Sequence, residues 1–244
     1  MADIWFCDMS ALGKLRIHGE ASHDFIRIMS TADPTAFEQL GGAKAGLLLT
    51  GQAEVIDVVV IIRTGDMEYM VITAAPTAKE TFAWLEAHAK ISDDKGKVFE
   101  GLTITDETDA LSNLVLFGTG CRDVLDELTG GQLDTYPQTG TLTMAQLDTV
   151  AALIFDTPVV PGEAYELFIP PKDKRGLINA LLSFPQIDPL ELHEYQDLRK
   201  TWGTWFSHAD VAAYTFPHKA DLMSLVRPSM DFVGGVALQG LLSG

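Results

Sequence analysis

Two carboxylates stand out in this chain because each lies inside an apolar run. Asp57 sits in Val55-Ile56-Asp57-Val58-Val59-Val60-Ile61, and Glu166 in Tyr165-Glu166-Leu167-Phe168-Ile169. Both runs have the length and β-branched or aromatic content of strands. Burying a carboxylate is costly unless something pairs with it, so such a residue often marks a site. Alternation along the strand puts Glu166 and Phe168 on one face and Tyr165, Leu167 and Ile169 on the other. A carboxylate presented on a face in a cleft accepts two N–H donors from a flat heterocycle. The plain alternative is an outward-facing glutamate on a half-exposed strand. For Asp57 the plain alternative is an aspartate capping the turn after Gly51 to Glu54. Arg199 reads, on its neighbours alone, as a helix-surface cation paired with Asp197 or Glu194.

Other chemistry finds less support. Gly118-Thr119-Gly120 follows an apolar strand and resembles the start of a dinucleotide fingerprint, but Asp123 stands at the third glycine position. A carboxylate at that helix start opposes a pyrophosphate, so a tight strand-to-helix turn is the better reading. The six histidines have neither HExxH spacing nor cysteine partners at zinc-ligand spacing, so no metal is expected. His208-Ala209-Asp210 reads as a solvated loop rather than an acid–base pair. Cys7 and Cys121 lack activating neighbours and form no CxxC pair, which fits a reducing cytosol. Seventeen Lys and Arg against 34 Asp and Glu give a formal net charge of -17. That field repels nucleic-acid phosphates and anionic membranes. No signal peptide is read at the N-terminus, and the densest apolar run, Val58 to Ile62, is far short of a membrane span.

The elements that position these residues repeat along the chain. Leu15 to His18, Gly19 and the helix Ser22 to Met29 match Leu114 to Phe117, Gly118 and Arg122 to Leu128 at a constant offset. Tyr69 to Thr73 with helix Thr77 to Leu85 matches Tyr165 to Ile169 with helix Lys172 to Leu182. Between the first pair's members lies a long strand, Val55 to Arg63, with a turn at Thr64-Gly65-Asp66. Ser92 to Lys97 and Asp134 to Gly140 read as polar loops, and Leu190 to Thr201 as a helix with Leu192, Tyr195 and Leu198 to one side. The expected fold class is α+β, built from two related split-βαβ (ferredoxin-like) units with a cleft between them. The expected organisation is a single domain over 1–244. Its pseudo-repeated halves span about 1–105 and 106–190, followed by a C-terminal helical and tail segment over 190–244.

Seven stretches resemble, in order, the folate-binding domain of the glycine-cleavage T-protein (aminomethyltransferase) superfamily. They are Trp5-Phe6-Cys7-Asp8-Met9-Ser10, Lys14 to Ile28, Val55 to Val60, Tyr69 to Ala75, Pro161 to Leu167, Asp197-Leu198-Arg199 and Asp231 to Leu238. They are similar to the family's Phe-Asp-Val-Ser segment, its strand–glycine–helix, its Val-Ile-Asp-Asp-Leu-Ile-Val and Val-Val-Asn-Ala strands, its Thr-Gly-Glu-x-Gly-Tyr-Glu-Ile strand, its Asp-x-Leu-Arg helix and its Asp-Phe-Ile-Gly-x-x-Ala-Leu segment. The resemblance implies a tetrahydrofolate cofactor held by Glu166, with Tyr165, Thr73 and Arg199 as further binding positions. It implies one-carbon transfer, methylene or methyl, to tetrahydrofolate from a small donor, with Asp57 as the candidate catalytic carboxylate.

Departures from the family pattern bear on that chemistry. The family strand carries two aspartates, the second linked to transfer; Asp57 aligns with the first and Val58 stands at the second. The family asparagine on the next strand is Thr73, and one helix arginine is replaced near Glu194-Tyr195-Gln196. A related branch that assists iron–sulfur enzymes carries a cysteine motif where this chain has Arg227 to Gly234 without cysteine, so that branch is set aside. The family's C-terminal β-barrel domain is not expected here, and a protein partner supplying it is the implied alternative. A non-catalytic folate-binding or scaffold subunit of a larger oxidase or demethylase complex is the competing reading.

Overall fold

The structure is a computed structural model describing residues 3–131, 136–157, 160–202 (Lys200 by its backbone alone) and 216–243. In chain order its elements are β1 (Ile4–Asp8), β2 (Gly13–His18), α1 (Ser22–Met29), β3 (Ala43–Leu49), β4 (Val55–Gly65), β5 (Glu68–Thr73), α2 (Ala78–Ala89), β6 (Ser92–Asp93), β7 (Gly96–Lys97), β8 (Thr103–Asp106) and β9 (Ser112–Gly118). They continue as α3 (Cys121–Leu128), β10 (Leu142–Leu147), β11 (Val150–Asp156), β12 (Ala164–Ile169), α4 (Lys174–Leu181), β13 (Ile187–Leu190), α5 (Leu192–Thr201) and α6 (Gly235–Ser243). They form two compact units: Leu12–Glu107 with the C-terminal segment, and Met1–Ala11 with Thr108–Phe206. We call them the Asp57 unit and the Glu166 unit.

The Asp57 unit holds a sheet in the order β3-β4-β5-β2-β8, every neighbouring pair antiparallel. The run β2-α1-β4-β5-α2-β8 is a split βαβ arrangement, with β3 added outside β4. One sheet face carries Leu15, Ile17, Val59, Ile61, Tyr69 and Val71 against Phe25, Ile26 and Met29 of α1 and Leu85 of α2. These apolar side chains alternate along the strands and recur at helical spacing on α1, so burying both faces together is what joins helix to sheet.

The Glu166 unit follows the same plan with β9, α3, β11, β12, α4 and β13, and with β10 in the place of β3. Its sheet order is β10-β11-β12-β9-β1-β13. It differs in its sheet by β1, which lies between β9 and β13, antiparallel to the first and parallel to the second. Ile4, Phe6, Leu114, Leu116, Ile154, Tyr165, Leu167 and Ile169 face Val124 and Leu125 of α3 and Leu177 and Leu181 of α4.

The matching glycines do the same job in both units. Gly19 and Gly118 have φ of 122° and 123°. A Cβ on either would meet a backbone oxygen, that of Gly101 at 2.0 Å or of Asp3 at 2.2 Å. Only glycine satisfies the dihedral and the close approach together.

Several boundaries differ from the sequence reading for physical reasons. The segment read as one helix from Leu190 splits, because Leu190 pairs with Cys7 on β1 and α5 starts only at Leu192. The helix read from Lys172 opens as a 3-10 turn over Pro171–Asp173, where the prolines supply no N–H, before α4. Ser92 to Lys97, read as a loop, closes a two-residue hairpin. His208-Ala209-Asp210 and part of the loop from Asp134 lie outside the described residues. No described helix is long and apolar enough to cross a membrane.

Candidate functional site

Glu166 lies in the middle of β12, on the sheet face turned away from α3 and α4, as alternation with the core residues Tyr165 and Leu167 requires. Its cross-strand neighbours are Val115 on β9 and Phe155 on β11. It is only 5% exposed. Asn113 Nδ2 donates to Glu166 Oε2 at 3.0 Å. Helix α5 supplies the compensating charge: the buried Arg199 and Tyr195 both feel the Glu166 carboxylate. The Arg199 guanidinium stands 5.6 Å over the Tyr195 ring. Burial pulls the Arg199 pKa down and pushes the Tyr195 phenol up, so the phenol stays protonated. The Tyr195 hydroxyl and Asn113 Oδ1 are buried polar atoms with no hydrogen-bond partner among the described residues.

Aromatic rings surround this cluster. Phe117, on the Glu166 face of β9, stacks with Trp5 at 5.9 Å and meets Tyr195 at 5.4 Å and Trp202 at 5.7 Å. Cys7, on the same face, has its thiol pushed up to about 12 by burial and by Asp8 and Glu191. It is therefore no nucleophile at neutral pH.

Asp57 occupies β4 on the face shared with Val59 and Ile61, beneath α2. It is fully buried. Its Oδ1 accepts from Val58 N–H at 2.8 Å. Its Oδ2 accepts from the Thr77 hydroxyl at 2.8 Å, the Thr81 hydroxyl at 2.9 Å and Ala74 N–H at 3.4 Å. The carboxylate thus ties β4 to the end of β5 and the first turn of α2. Burial raises its pKa to about 6, against the pull of those four hydrogen bonds. Val58, at the position the resemblance links to transfer, points to the opposite face.

The five expected site residues therefore separate. Glu166 and Arg199 are neighbours in one cluster, and Arg199 is buried there instead of pairing on the helix surface. Tyr165 faces the helix side of the same sheet, where its hydroxyl bonds Arg122 and its ring lies 6.1 Å from Tyr136. Thr73 and Asp57 belong to the other unit, and Thr73 Oγ1 donates to Ala74 O at 3.4 Å. Asn113 and Tyr195 were missed by sequence reasoning. A polar residue one position before the apolar run Leu114 to Phe117, and an aromatic on the apolar side of the α5 helix, were the available signals.

The glycine turn before α3 is already closed to a phosphate. Glu163 Oε2 accepts from Gly120 N–H at 3.0 Å and Arg122 N–H at 3.4 Å, so the helix start holds its own carboxylate. Replacing Glu163 by glutamine is expected to cost about 0.5–1 kcal/mol of stability, read from urea unfolding. An unchanged midpoint would show that the cap contributes nothing. Among the described residues no group of three or more His, Cys, Asp or Glu is placed to hold a metal.

Fold and cluster together define a duplicated split-βαβ protein with one buried, arginine-balanced carboxylate site in its second repeat. The chain belongs to the glycine-cleavage T-protein family: the GCVT N-terminal domain model matches residues 2–230. Aminomethyltransferases of Herpetosiphon aurantiacus and Chlorobaculum parvum are 23% and 26% identical to it, over 96% and 95% of this chain. The chain spans about 62% of the length of each. The fold matches glycine cleavage system aminomethyltransferase T from Bartonella henselae with a TM-score of 0.83 at 20% identity, covering 99% of this chain and 64% of that one. Heterotetrameric sarcosine oxidase from Corynebacterium sp. U-96 matches with a TM-score of 0.51 at 11% identity, covering 74% and 82%.

Proposed function

We propose that the chain binds tetrahydrofolate through the Glu166 cluster, as a folate-binding module of the aminomethyltransferase superfamily. The observation that carries this reading is the buried Glu166 carboxylate on the sheet face turned away from α3 and α4, beside two buried polar atoms without a hydrogen-bond partner among the described residues. A pterin is flat and presents adjacent N–H donors that suit a carboxylate, and Phe117 and Trp5 offer apolar ring faces next to it. Arg199 balances the charge of Glu166, and the Tyr195 hydroxyl, without a partner among the described residues, can donate or accept. When bound, tetrahydrofolate supplies the nitrogens that carry a one-carbon unit. The protein's own part is to hold the ring and exclude water.

Anaerobic calorimetry with tetrahydrofolate tests this. Glu166→Gln removes a charge-assisted pair and is expected to weaken binding by roughly 10- to 100-fold. No binding to the unaltered protein at millimolar ligand would sink the reading.

Transfer of a methylene or methyl group from a small donor, with Asp57 as the acid–base group, is the catalytic form of the proposal. The engagement of both Asp57 oxygens under α2 favours instead a folate-binding protein without its own transfer carboxylate. Asp57→Asn that keeps folate affinity and abolishes transfer would restore the catalytic form. The heterotetrameric state named for the sarcosine oxidase supports looking for a protein partner.

A further inference from the structure

Asn113 does more than fill the strand. It is fully buried on β9, across from Phe168 on β12, on the same face as Glu166. Its Nδ2 donates to Glu166 Oε2 at 3.0 Å. An ionised carboxylate accepts only, so that bond sets the amide's orientation: Nδ2 toward Glu166, Oδ1 turned away from it. Oδ1 is left buried with no hydrogen-bond partner among the described residues. A strong acceptor in that condition is rare and calls for a donor.

We infer that Asn113 Oδ1 accepts an N–H from the bound ligand, next to the N–H pair taken by Glu166, so that the site reads an exocyclic amino group on the ring. This rests on the tetrahydrofolate reading above and narrows it. A carboxylate facing a 2-amino-4-oxo heterocycle takes the ring N–H and one hydrogen of the amino group. The second amino hydrogen remains, on the same edge of the ring. Asn113 extends the row of acceptors along that edge, with Nδ2 bracing Oε2 and Oδ1 beyond it. A ring without the amino group loses a bond to each residue and leaves both acceptors buried, which is how polar sites reject analogues strongly. Asn113 is thus a specificity residue, and through its bond to Oε2 a positioning residue for Glu166.

The test pairs a protein change with a ligand change. Wild type and Asn113→Leu are titrated anaerobically with tetrahydrofolate and with its 2-desamino-2-methyl analogue, the weaker ligand by competition. The variant is expected to lose at least tenfold in affinity for tetrahydrofolate but less than threefold for the analogue. Selectivity for the amino group then collapses, which a merely structural role would not produce. Equal losses for both ligands, or no loss, would overturn the inference while Glu166→Gln still reports on the pterin site. Should wild type bind neither ligand, the tetrahydrofolate reading falls and this inference with it. Where Asn113→Leu does not fold, Asn113→Ala carries the same expectation.

Discussion

Asp57→Ala is expected to lower stability by about 2–4 kcal/mol at neutral pH, while Asp57→Asn leaves the protein at least as stable as before. Alanine strips the acceptor from two backbone N–H groups and two threonine hydroxyls in a site without water access. Asparagine keeps an oxygen for Val58 N–H and offers its NH2 to the threonine oxygens, so only the longer Ala74 bond is lost. The pH dependence separates the two effects. Burial raises Asp57 from 3.8 to about 6. Between those values the folded state holds the proton that the unfolded chain has released. The stability from this group is therefore greatest below about pH 4 and falls as the pH rises to about 6, by about 3 kcal/mol for a shift of roughly two units. Asparagine does not ionise. The stability of wild type minus that of Asp57→Asn should fall by about 3 kcal/mol between about pH 3.5 and pH 7. Urea unfolding of both proteins across that range measures it, and a constant difference would mean that Asp57 titrates as an ordinary aspartate.

Arg227→Met should cost about 3–5 kcal/mol, comparable to breaking a core contact. Arg227 is 5% exposed and is spent entirely within the Asp57 unit. Its Nε donates to Asp231 Oδ1 at 2.8 Å, and its terminal nitrogens donate to the carbonyls of Arg27, Ser30, Ala32 and Asp231 at 2.6 to 3.0 Å. Three of these carbonyls lie at or just past the end of α1, where the chain has no helical N–H left to satisfy them. The guanidinium thus fastens the C-terminal segment to α1. Lysine keeps the charge but not the fork of donors, and is expected to recover less than half of the loss. Hydrogen exchange should show residues 217–243 losing protection in the methionine variant first. A variant within about 1 kcal/mol of wild type would contradict the account.

The duplication was legible in the sequence because its signals are local. A glycine after a strand and apolar residues at helical spacing on Ser22 to Met29 and on Arg122 to Leu128 need only neighbouring residues to be read. The face of Glu166 was legible too, since alternation along β12 decides it. The face of Asp57 had the same signal, in Val59 and Ile61 two and four positions on, but its meaning depended on knowing that α2 covers that side. Arg199 was misjudged because its near neighbours in sequence are acidic, while the carboxylate it balances is 33 positions away on another element. Asn113 carried almost no signal: its place beside Glu166 arises only from strand register. The strand β1 and its place in the sheet were invisible for the same reason, since five residues cannot announce which strands they will divide.

That placement has a consequence for how the chain emerges from the ribosome. β1 is synthesised first, yet both strands it pairs with, β9 and β13, come more than a hundred residues later. The intervening Leu12–Glu107 supplies all five strands of the other sheet, so that sheet's hydrogen-bonding partners are complete while β1 still waits. Until β13 appears, β1 keeps one edge unpaired, the kind of surface on which chaperones and neighbouring chains act. Loop closure over that distance makes the sheet bearing Glu166 the later of the two to form. Damage to β1 is therefore felt in the sheet that bears Glu166, built from residues that come later, and not in the sheet that follows β1 directly.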